Sequence, residues 1–415
     1  MAFDAMQYGA RPDGTTMNTA ALQECLDACA KAGGGTVRLR PGVFLTGPIR
    51  LGSNTTLHLE AGATLMGSPR KEDYRCVRLR YSGAEALTLE ALVSATEAVN
   101  VAIVGRGMIN GQGGGWWQDI RRTLSLPKDR RPTPKAPPGT EDYVRETPWA
   151  RPRLVEFVRC RNVLFEGLTL CNSPFWTLHP LFCEGVRIHG LTVLAPEESN
   201  NTDGINPDSC RDVRISDCLI DVGDDCLALK SGLDDAARER GAPCENVVIT
   251  NCIMRRGHGG VTVGSDMSGG VRNVTVSNCV FQGTDIGIRL KTMRRRGGIV
   301  EQMACTNIVM DRVPCPVHVD MHYWKKTEAG PVTERTPRFR DLRISHVRAT
   351  GAEQAGFIHG LEEMPVGDVT LDDVHITAAR PFRARHVRGL ALRHTRVDVP
   401  QGEAFEFEDV SRAEG

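Results

Sequence analysis

The strongest constraint on the fold is an internal repeat that occupies the chain from residue 160 onward. Short segments with alternating apolar residues recur there, and most follow a Gly, Asn or Asp. We take the first apolar residue of each segment as its anchor. The anchors are positions 163, 186, 213, 247, 274, 308, 342, 369 and 390, spaced by 21 to 34 residues. A repeat of this length indicates a solenoid of stacked coils.

Each anchor is followed two residues later by another large apolar residue. These residues are Phe165, Ile188, Ile215, Ile249, Val276, Met310, Ile344, Leu371 and Leu392. Alternation with a period of two is typical of strands with one buried face, whereas leucine-rich and helical repeats follow other patterns. The sequence therefore predicts an all-β fold, a single-stranded parallel β-helix whose coils stack their apolar residues.

Most of the 14 cysteines fit this pattern. At least eight occupy positions that hold Val, Leu or Phe in other coils, so they are interpreted as small core residues. The sequence contains no C-x-x-C pair, and Cys25 and Cys29 lie in a helical pattern, so zinc is not expected. Disulfides remain the alternative. A core rich in thiols suits a reducing compartment.

The first 115 residues are interpreted as the start of the same solenoid, so we expect one domain over residues 1–415. Residues 17–32 carry Leu22, Cys25, Leu26 and Cys29 on one face and precede three glycines. This pattern predicts a short helix that caps the open end of the core. Residues 120–152 are rich in Arg, Lys and Pro and are expected to form an excursion on one side of the solenoid rather than a linker.

Composition excludes several classes of protein. The 51 Lys and Arg residues balance the 51 Asp and Glu residues, which argues against an electrostatic nucleic-acid binder. The 40% hydrophobic content is too high for a disordered chain, and no segment approaches the ~20 apolar residues that span a bilayer. No signal peptide is recognisable at the start, so a cytoplasmic protein is expected, or an exported one if a leader has been removed.

Four short polar motifs interrupt the apolar pattern in three consecutive coils and in the loop before them. They are Asn201-Thr202-Asp203-Gly204, Gly223-Asp224-Asp225, Gly257-His258-Gly259 and Arg289-Leu290-Lys291. Asp224 and His258 both lie 11 residues after an anchor, which predicts that they stack on neighbouring coils about 5 Å apart. Residues 289 and 291 flank an inward-facing leucine, so both cations are predicted to point outward.

Asp203 joins this register if its coil carries five additional residues, which makes Ile205 equivalent to Leu227. Each motif alone would be read as an ordinary turn or a solvated strand face. Their conjunction is what favours function, because adjacent carboxylates repel one another and such clusters raise the pKa of one member. One protonated acid beside ionised partners is what glycosidic-bond hydrolysis requires.

These motifs, in this order on a parallel β-helix, resemble the polygalacturonase family of glycoside hydrolases, family 28. The resemblance extends to Tyr8–Gly14, to the glycines that end the first helix, and to Gly111–Gly113 with Trp116 and Trp117, which are similar to the bacterial branch. It implies a right-handed parallel β-helix, the pectin-lyase-like solenoid. It also implies hydrolysis of α-1,4-galacturonosyl linkages with inversion and without a metal or another cofactor.

The resemblance also assigns roles by position. Asp224 corresponds to the general acid, and Asp203 with Asp225 to the carboxylates that hold and deprotonate the water. His258 would tune the protonation of the acid. The substrate-binding positions are Arg289 and Lys291, which suit a uronate carboxylate, and Tyr323, which matches a sugar-contacting tyrosine. The expected partner is a galacturonate-containing oligosaccharide rather than a nucleic acid or a membrane.

Three alternatives stay open at this point. A rhamnogalacturonan-type hydrolase would share the fold and the acids but has less use for a uronate-binding cation pair. A calcium-dependent pectate lyase would need an acidic Ca²⁺ site and an arginine base. A non-catalytic β-helix, such as a surface adhesin, would not need six polar residues in register.

The expected mode of action is exo, on short oligogalacturonides. The excursion at 120–152 precedes the catalytic coils and could close one end of the groove, and Asn206-Pro207-Asp208 resembles exo-acting bacterial members. A surface loop that leaves the groove open is the alternative. A polymer cannot enter a cytoplasm, so an intracellular enzyme would meet only imported fragments.

Overall fold

The computed structural model describes residues 1–81, 83–127, 130–131, 141–323 and 328–413. The chain divides into two compact units. The first unit comprises Met1–Asn206 and Val222–Asp224, and the second comprises Pro207–Asp221 and Asp225–Gly415. That all of it forms a single domain stays a prediction.

The described part of the first unit is built from short strands and three helices. The helices are α1 (Thr19–Lys31), α2 (Gly114–Ser125) and α3 (Glu141–Glu146), with 3-10 turns at Ala5–Tyr8 and Lys71–Asp73. The strands are Ala2–Asp4, Asp13–Met17, Gly35–Leu39, Gly42–Thr46, Ile49–Leu51, Thr55–Leu59, Ala63–Gly67, Cys76–Tyr81, Ala84–Leu89, Val93–Thr96, Val99–Gly105, Met108–Asn110, Val155–Val158, Arg161–Glu166, Thr169–Cys171, Leu178–Leu181, Glu184–His189 and Thr192–Leu194.

The second unit has longer strands and one described helix, α4 (Asp234–Arg240). Its strands are Arg211–Ser216, Leu219–Asp221, Leu227–Leu229, Cys244–Thr250, Ile253–Arg255, Val261–Gly264, Val271–Gln282, Ile286–Lys291, Ile299–Asp311, Cys315–Asp320, Arg338–His359, Val366–Arg393, Arg396–Asp398 and Phe405–Arg412.

Strands pair with the equivalent strand of the next coil, and they do so in parallel. In the first unit Val101 pairs with Val163, and Val163 pairs with Val186. In the second unit Val213 pairs with Val247, and Val247 pairs with Val274. A hairpin of Cys76–Tyr81 with Ala84–Leu89 is antiparallel. The fold is a right-handed parallel β-helix, as predicted, because parallel neighbours joined by long crossovers take this hand.

The predicted apolar stacks form the core of each unit. The anchors at 163, 186, 213, 247 and 274 are at most 1% exposed, and so are the residues two positions later. Along each strand the buried positions alternate with exposed ones, as the period of two requires.

One predicted anchor is wrong by five residues. Val274 pairs with Met303, not with Ile308, and Met303 pairs with Leu342. The true partner of Ile308 is Cys279. The error has a physical cause. The residue before most anchors has a left-handed backbone, which favours Asn and Asp. In this coil Gln302 holds that position with φ 55°, while Asn307 holds a second left-handed position further along.

These left-handed residues also form polar ladders between coils. In the first unit the Nδ2 of Asn100 donates to Asn54 at 2.9 Å, and the Nδ2 of Asn162 donates to Asn100 at 2.7 Å. In the second unit Asn273 donates to Asn246 at 3.0 Å. Asn100 thus accepts from one neighbour and donates to the next, which satisfies both polar ends of its side chain at a turn.

The predicted capping helix is present. Helix α1 spans Thr19–Lys31, within the predicted 17–32, and buries Leu22, Cys25, Leu26 and Cys29. It packs on strands of the first unit, among them Ile49–Leu51 and Gly35–Leu39. Gly33 and Gly34, with φ of 87° and 123°, end it.

The excursion at 120–152 is described only in part, because residues 128–129 and 132–140 lie outside the described chain. Helix α2 enters it and buries Trp116, Trp117 and Ile120. After the gap, α3 and the residue that follows it are hydrogen-bonded to Lys71 of the same unit. Lys71 Nζ donates to Thr147 O at 2.7 Å, and Arg145 Nη1 donates to Lys71 O at 3.1 Å. The prediction that this segment closes a groove stays a prediction.

All 14 cysteines lie in the described part of the chain, and all are free thiols. Twelve are buried, and Cys76 and Cys315 are half-buried. This agrees with their interpretation as core residues. Among the described helices, none has the length and apolar character needed to cross a membrane.

Candidate active site

The first unit brings together two of the three predicted catalytic acids. Asp203 and Asp224 each offer a carboxylate oxygen, and these oxygens lie within 4.8 Å of one another. Asp203 is 3% exposed, whereas Asp224 is half-exposed. The backbone fixes Asp203, because its carbonyl accepts from Thr177 N at 2.8 Å and the following Ile205 forms a parallel bridge with Leu178. We call Asp203 and Asp224 the acid pair.

The polar motifs around the acid pair depend on each other. Gly223 N donates to Thr202 Oγ1 at 3.2 Å, and Thr202 Oγ1 lies 2.8 Å from Ser199 Oγ. A Cβ on residue 223 would lie 2.4 Å from the carbonyl oxygen of Ser199, so only glycine fits there. The threonine of one motif and the glycine of the next therefore hold the two aspartates at this spacing.

A buried arginine holds the residue that donates a hydrogen bond to Asp224. Arg151 is 1% exposed, and its Nη2 donates to Asn201 Oδ1 at 2.7 Å. Its Nη1 donates to the carbonyl oxygens of Pro174 and Asn200, each at 2.8 Å. The Nδ2 of Asn201 then donates to Asp224 Oδ2 at 3.5 Å. Arg151 thus fixes the side-chain amide that faces Asp224.

The third acid, Asp225, directly follows Asp224 in the chain and belongs to the second unit. It is 1% exposed. Lys291 Nζ donates to its Oδ2 at 2.7 Å, and Arg289 Nη1 and Thr262 Oγ1 donate to its Oδ1 at 3.0 and 2.9 Å. Burial by itself would raise the pKa of Asp225, but the charges of Lys291, Arg289 and Lys230 lower it well below its usual range. Asp225 is therefore an ionised carboxylate.

The strands place this cation pair, Arg289 and Lys291, beside Asp225. Thr262 pairs with Arg289, and Gly264 pairs with Lys291, on adjacent strands. Between the two cations Leu290 points into the core at 1% exposure. The predicted outward direction of both cations is confirmed, and in the structure they bind Asp225.

His258 lies on the same unit, with its side chain 54% exposed. Its Nδ1 lies 2.7 Å from Asp285 Oδ2, and its carbonyl oxygen accepts from Arg289 Nη1 at 3.3 Å. A carboxylate can only accept, so Nδ1 carries the proton in this hydrogen bond. Asp285 therefore fixes the tautomer and the ring orientation of His258.

Tyr323 covers the cation pair. Its ring centre lies 5.7 Å from the guanidinium carbon of Arg289 and 5.3 Å from Lys291 Nζ, which are cation–π distances. The amide of Tyr323 donates to Thr292 O at 3.0 Å. Trp324, the next residue of the predicted motif, lies outside the described residues.

With this geometry established, comparison with known proteins identifies the family. The family model described as glycosyl hydrolases family 28 matches residues 142–387, which is more than half of the chain. The chain belongs to this family. It is a glycoside hydrolase, and the resemblance inferred from the motifs is confirmed.

Individual relatives of this family 28 hydrolase are similar over most of its length. A probable polygalacturonase of Vitis vinifera is 31% identical over 409 residues, covering 93% of this chain and 77% of the relative. An endo-polygalacturonase of Pectobacterium carotovorum subsp. carotovorum is 27% identical over 387 residues, covering 89% and 86%. The crystal structure of a hyperthermoactive exopolygalacturonase of Thermotoga maritima has a TM-score of 0.84 and 31% identity, covering 96% of this chain and 92% of that one.

Sequence reasoning missed four polar residues of the family 28 hydrolase that contact the predicted site. The register would have found two of them. Asp285 lies 11 residues after the anchor Val274, as Asp224 and His258 lie after theirs, and Thr262 shares the position of Arg289 in the preceding coil. Asn201 stands inside a motif but had no assigned role. Arg151 gave no signal, because nothing in the sequence shows that this arginine turns inward.

The site of the family 28 hydrolase also contains oxygen atoms that a metal ion could use. The two carboxylates of the acid pair are close enough to share a cation. Asp225, by contrast, has both oxygens bound by ammonium, guanidinium and hydroxyl donors, which compete with a metal for the same lone pairs. The expectation that catalysis needs no metal stays a prediction.

Proposed function

We propose that this family 28 hydrolase cleaves α-1,4-galacturonosyl linkages of galacturonates. The observation that carries the proposal is Asp225, a buried carboxylate that two cations keep ionised next in the chain to the half-exposed Asp224. The Vitis vinifera relative and the Thermotoga maritima structure, both named for polygalacturonase activity, support the substrate class.

In the proposed mechanism Asp224 protonates the leaving oxygen. Asp225 cannot supply this proton, because its neighbours keep it ionised. Of the acid pair, Asp224 is the more exposed, so it can touch a bound sugar and regain a proton from solvent after each turnover. His258, oriented by Asp285, is proposed to govern the protonation of this acid.

Asp203 and Asp225 are proposed to hold and deprotonate the attacking water, which gives inversion. Both oxygens of Asp225 already accept hydrogen bonds, which makes it a poor nucleophile and a suitable group to orient a polar molecule. The distance within the acid pair does not favour inversion by itself, since it is nearer to the 5–5.5 Å of retaining enzymes than to the 6.5–9.5 Å of inverting ones. The support is the third carboxylate, which double displacement does not need.

Stereochemistry is decided by proton NMR of the first product during turnover. Inversion of an α-linkage releases the β-anomer, with no covalent sugar–enzyme species. An initial α-anomer would rule out the mechanism.

The cation pair is proposed to bind the carboxylate of the substrate as well as Asp225. Arginine has several donors in a planar fork, so Arg289 can keep one bond to Asp225 and offer others to a second carboxylate. Tyr323, above the two cations, is proposed to contact the sugar ring.

We propose an exo mode of action on short oligogalacturonides. The exopolygalacturonase of Thermotoga maritima supports it, whereas the Pectobacterium relative is named an endo-enzyme. Product analysis at early times separates the two. Monogalacturonate alone is the expected product, and a ladder of internal fragments with a rapid fall in viscosity would contradict the proposal.

We also propose that the enzyme works in a reducing compartment, since all 14 of its cysteines are free thiols and twelve of them are buried. Cell fractionation of the source organism with an antibody to the chain tests this. Recovery of the protein from an oxidising compartment would contradict it.

The central test is release of reducing sugar from polygalacturonate. Asp224→Asn should lower kcat by at least ~10²-fold, because it removes the proton donor while keeping the shape of the side chain. Asp398→Asn, which removes an exposed carboxylate of the second unit, is the matched control. Wild-type turnover in Asp224→Asn would refute the assignment, and cleavage of rhamnogalacturonan alone would refute the substrate class.

Addition of a chelator should leave the hydrolytic activity unchanged, whereas a calcium-dependent lyase would lose its activity.

A further inference from the structure

A cavity rich in arginine lies a few residues beyond the cation pair. It has a volume of about 400 Å³ and is lined by Asp234, Asp235, Arg335 and the segment 293–296, which contains three consecutive arginines. We call it the arginine cavity. The segment starts two residues after Lys291, and Arg295 lies four residues after it, so the Cα atoms of Lys291 and Arg295 are at most about 14 Å apart. A neighbouring unit of a bound oligosaccharide can reach such a site.

The lining of the arginine cavity is positively charged. Four arginines and two aspartates line it, and one of the arginines is paired with Glu363, which leaves an excess of one positive charge. Both aspartates are already bound, because Arg335 Nη2 lies 2.6 Å from Asp235 and Arg296 Nη1 lies 3.7 Å from Asp234. A cavity of this charge favours an anion of the kind the proposed substrate carries on every unit.

Arg295 is the residue with capacity to bind such an anion. Its neighbour Arg294 forms two bonds with Glu363, at 2.6 and 2.8 Å. Arg295 is exposed, and no ion pair or side-chain hydrogen bond involves it within the described chain. It lines both the arginine cavity and a larger adjoining one of about 810 Å³.

Arg335 lines the same two cavities as Arg295. Its contact with Asp235 is between half-exposed side chains, and such pairs contribute little to stability because water screens them. A substrate carboxylate can therefore take over part of the Arg335 guanidinium at little cost. An exposed arginine on an ordinary surface has neither a concave setting nor a second arginine facing the same space.

We propose that Arg295, with Arg335, binds the carboxylate of a second uronate unit, next to the unit bound by the cation pair. This inference rests on the proposed function, and it makes the arginine cavity a specificity site for free over methyl-esterified uronate. Guanidinium groups bind carboxylates through paired N–H donors, a recognition that a methyl ester weakens because it has lost the charge.

The test is binding of trigalacturonate and of its methyl ester to the Asp224→Asn protein, measured by calorimetry. Adding Arg295→Gln should weaken binding of the free acid about tenfold and leave binding of the ester unchanged. Arg393→Gln, at an exposed arginine of the second unit, is the matched control for the loss of one charge. Arg335→Gln should act in the same direction as Arg295→Gln.

Equal affinity with and without Arg295→Gln, or an equal loss for acid and ester, would overturn the inference. Absence of any binding of trigalacturonate would overturn it too. Failure of the proposed function is a separate result, because it would appear as wild-type protein that binds trigalacturonate but does not cleave it.

Discussion

Asp225 shows how a buried charge is kept in this protein. Removing a carboxylate from water costs several kcal/mol, and the cost is offset only by close partners. Here both oxygens have them, and the partners are two cations and a hydroxyl. The same contacts lower the pKa of the carboxyl, so the structure of the site and the protonation state that catalysis needs have one cause.

Replacing Asp225 by Asn should therefore destabilise the protein by about 3–5 kcal/mol at neutral pH, because Lys291 and Arg289 would be left buried without their counter-charge. The lowered pKa makes this stabilisation fully present above pH ~4, the pKa of an unfolded aspartate, and it is lost as the pH falls towards the folded value. Urea unfolding at several pH values measures it. The gap between variant and wild type should shrink below pH ~4, and a gap independent of pH would contradict the assignment.

Asn201 should act on catalysis through Asp224. Asn201→Ala removes an N–H that faces the carboxylate and the oxygen that anchors Arg151. Hydrogen bonds to charged groups contribute about 1.5–3 kcal/mol, which corresponds to roughly a tenfold to hundredfold lower kcat. The alkaline limb of the pH–rate profile, where the general acid loses its proton, should shift as well, while KM changes little. Asn200→Ala is the matched control, since its side-chain oxygen has no hydrogen-bond partner in the described chain.

For single residues, the sequence predicted which side chains belong to the candidate site better than it predicted their contacts. Six of the seven candidate residues could be read from motifs and spacing, because chemistry restricts their types, and Tyr323 was taken from the family resemblance alone. The residues that hydrogen-bond to these candidates could not all be predicted from the sequence, because such contacts depend on the direction of each side chain. Arg151 and Asn201 come into contact only in the folded chain. Neither the charges nor the apolar period of the sequence predicts this contact.

At the scale of elements, the misassigned coil shows what the repeat does and does not encode. The strand Ile299–Asp311 contains the same buried doublet twice, at 303 and 305 and again at 308 and 310, so Met303 and Ile308 are equally good anchors by pattern. The register is decided by the left-handed turns, and Gln302 hides one of them because glutamine is not typical of such positions. The amide ladders, rather than the apolar residues, therefore carry the register information in this coil.

Gln302→Asn should stabilise the second unit. Asparagine tolerates the left-handed backbone better than glutamine does, and its shorter amide can reach Asn273, which precedes the paired anchor Val274. We expect a gain of about 0.5–1 kcal/mol in the free energy of unfolding, measured by denaturant titration. The gain should vanish in an Asn273→Ala background. A gain that persists there would mean that the two side chains do not meet, and that the register is different.

At the scale of the whole molecule, local pairing explains why the fold could be predicted so well. Every coil contacts its neighbours in sequence, so a repeat with the correct period specifies the architecture even when one coil is placed five residues off. What the repeat did not predict is the division into two units, in which the consecutive Asp224 and Asp225 fall on different sides. Such a division depends on how closely many residues pack within each unit, and no single sequence motif indicates that.

The thiols give a prediction for the entire chain. Burial is the largest cause that raises the pKa of Cys25, Cys244 and Cys305 to about 12, so these thiols react slowly in the folded protein. Titration with a chromogenic disulfide reagent should count 14 thiols per chain in denaturant. Native protein should react quickly at no more than the half-buried Cys76 and Cys315. Fewer than 14 thiols in denaturant would mean that some are paired, and fast reaction of many in the native state would mean that the thiol-filled core is open to solvent.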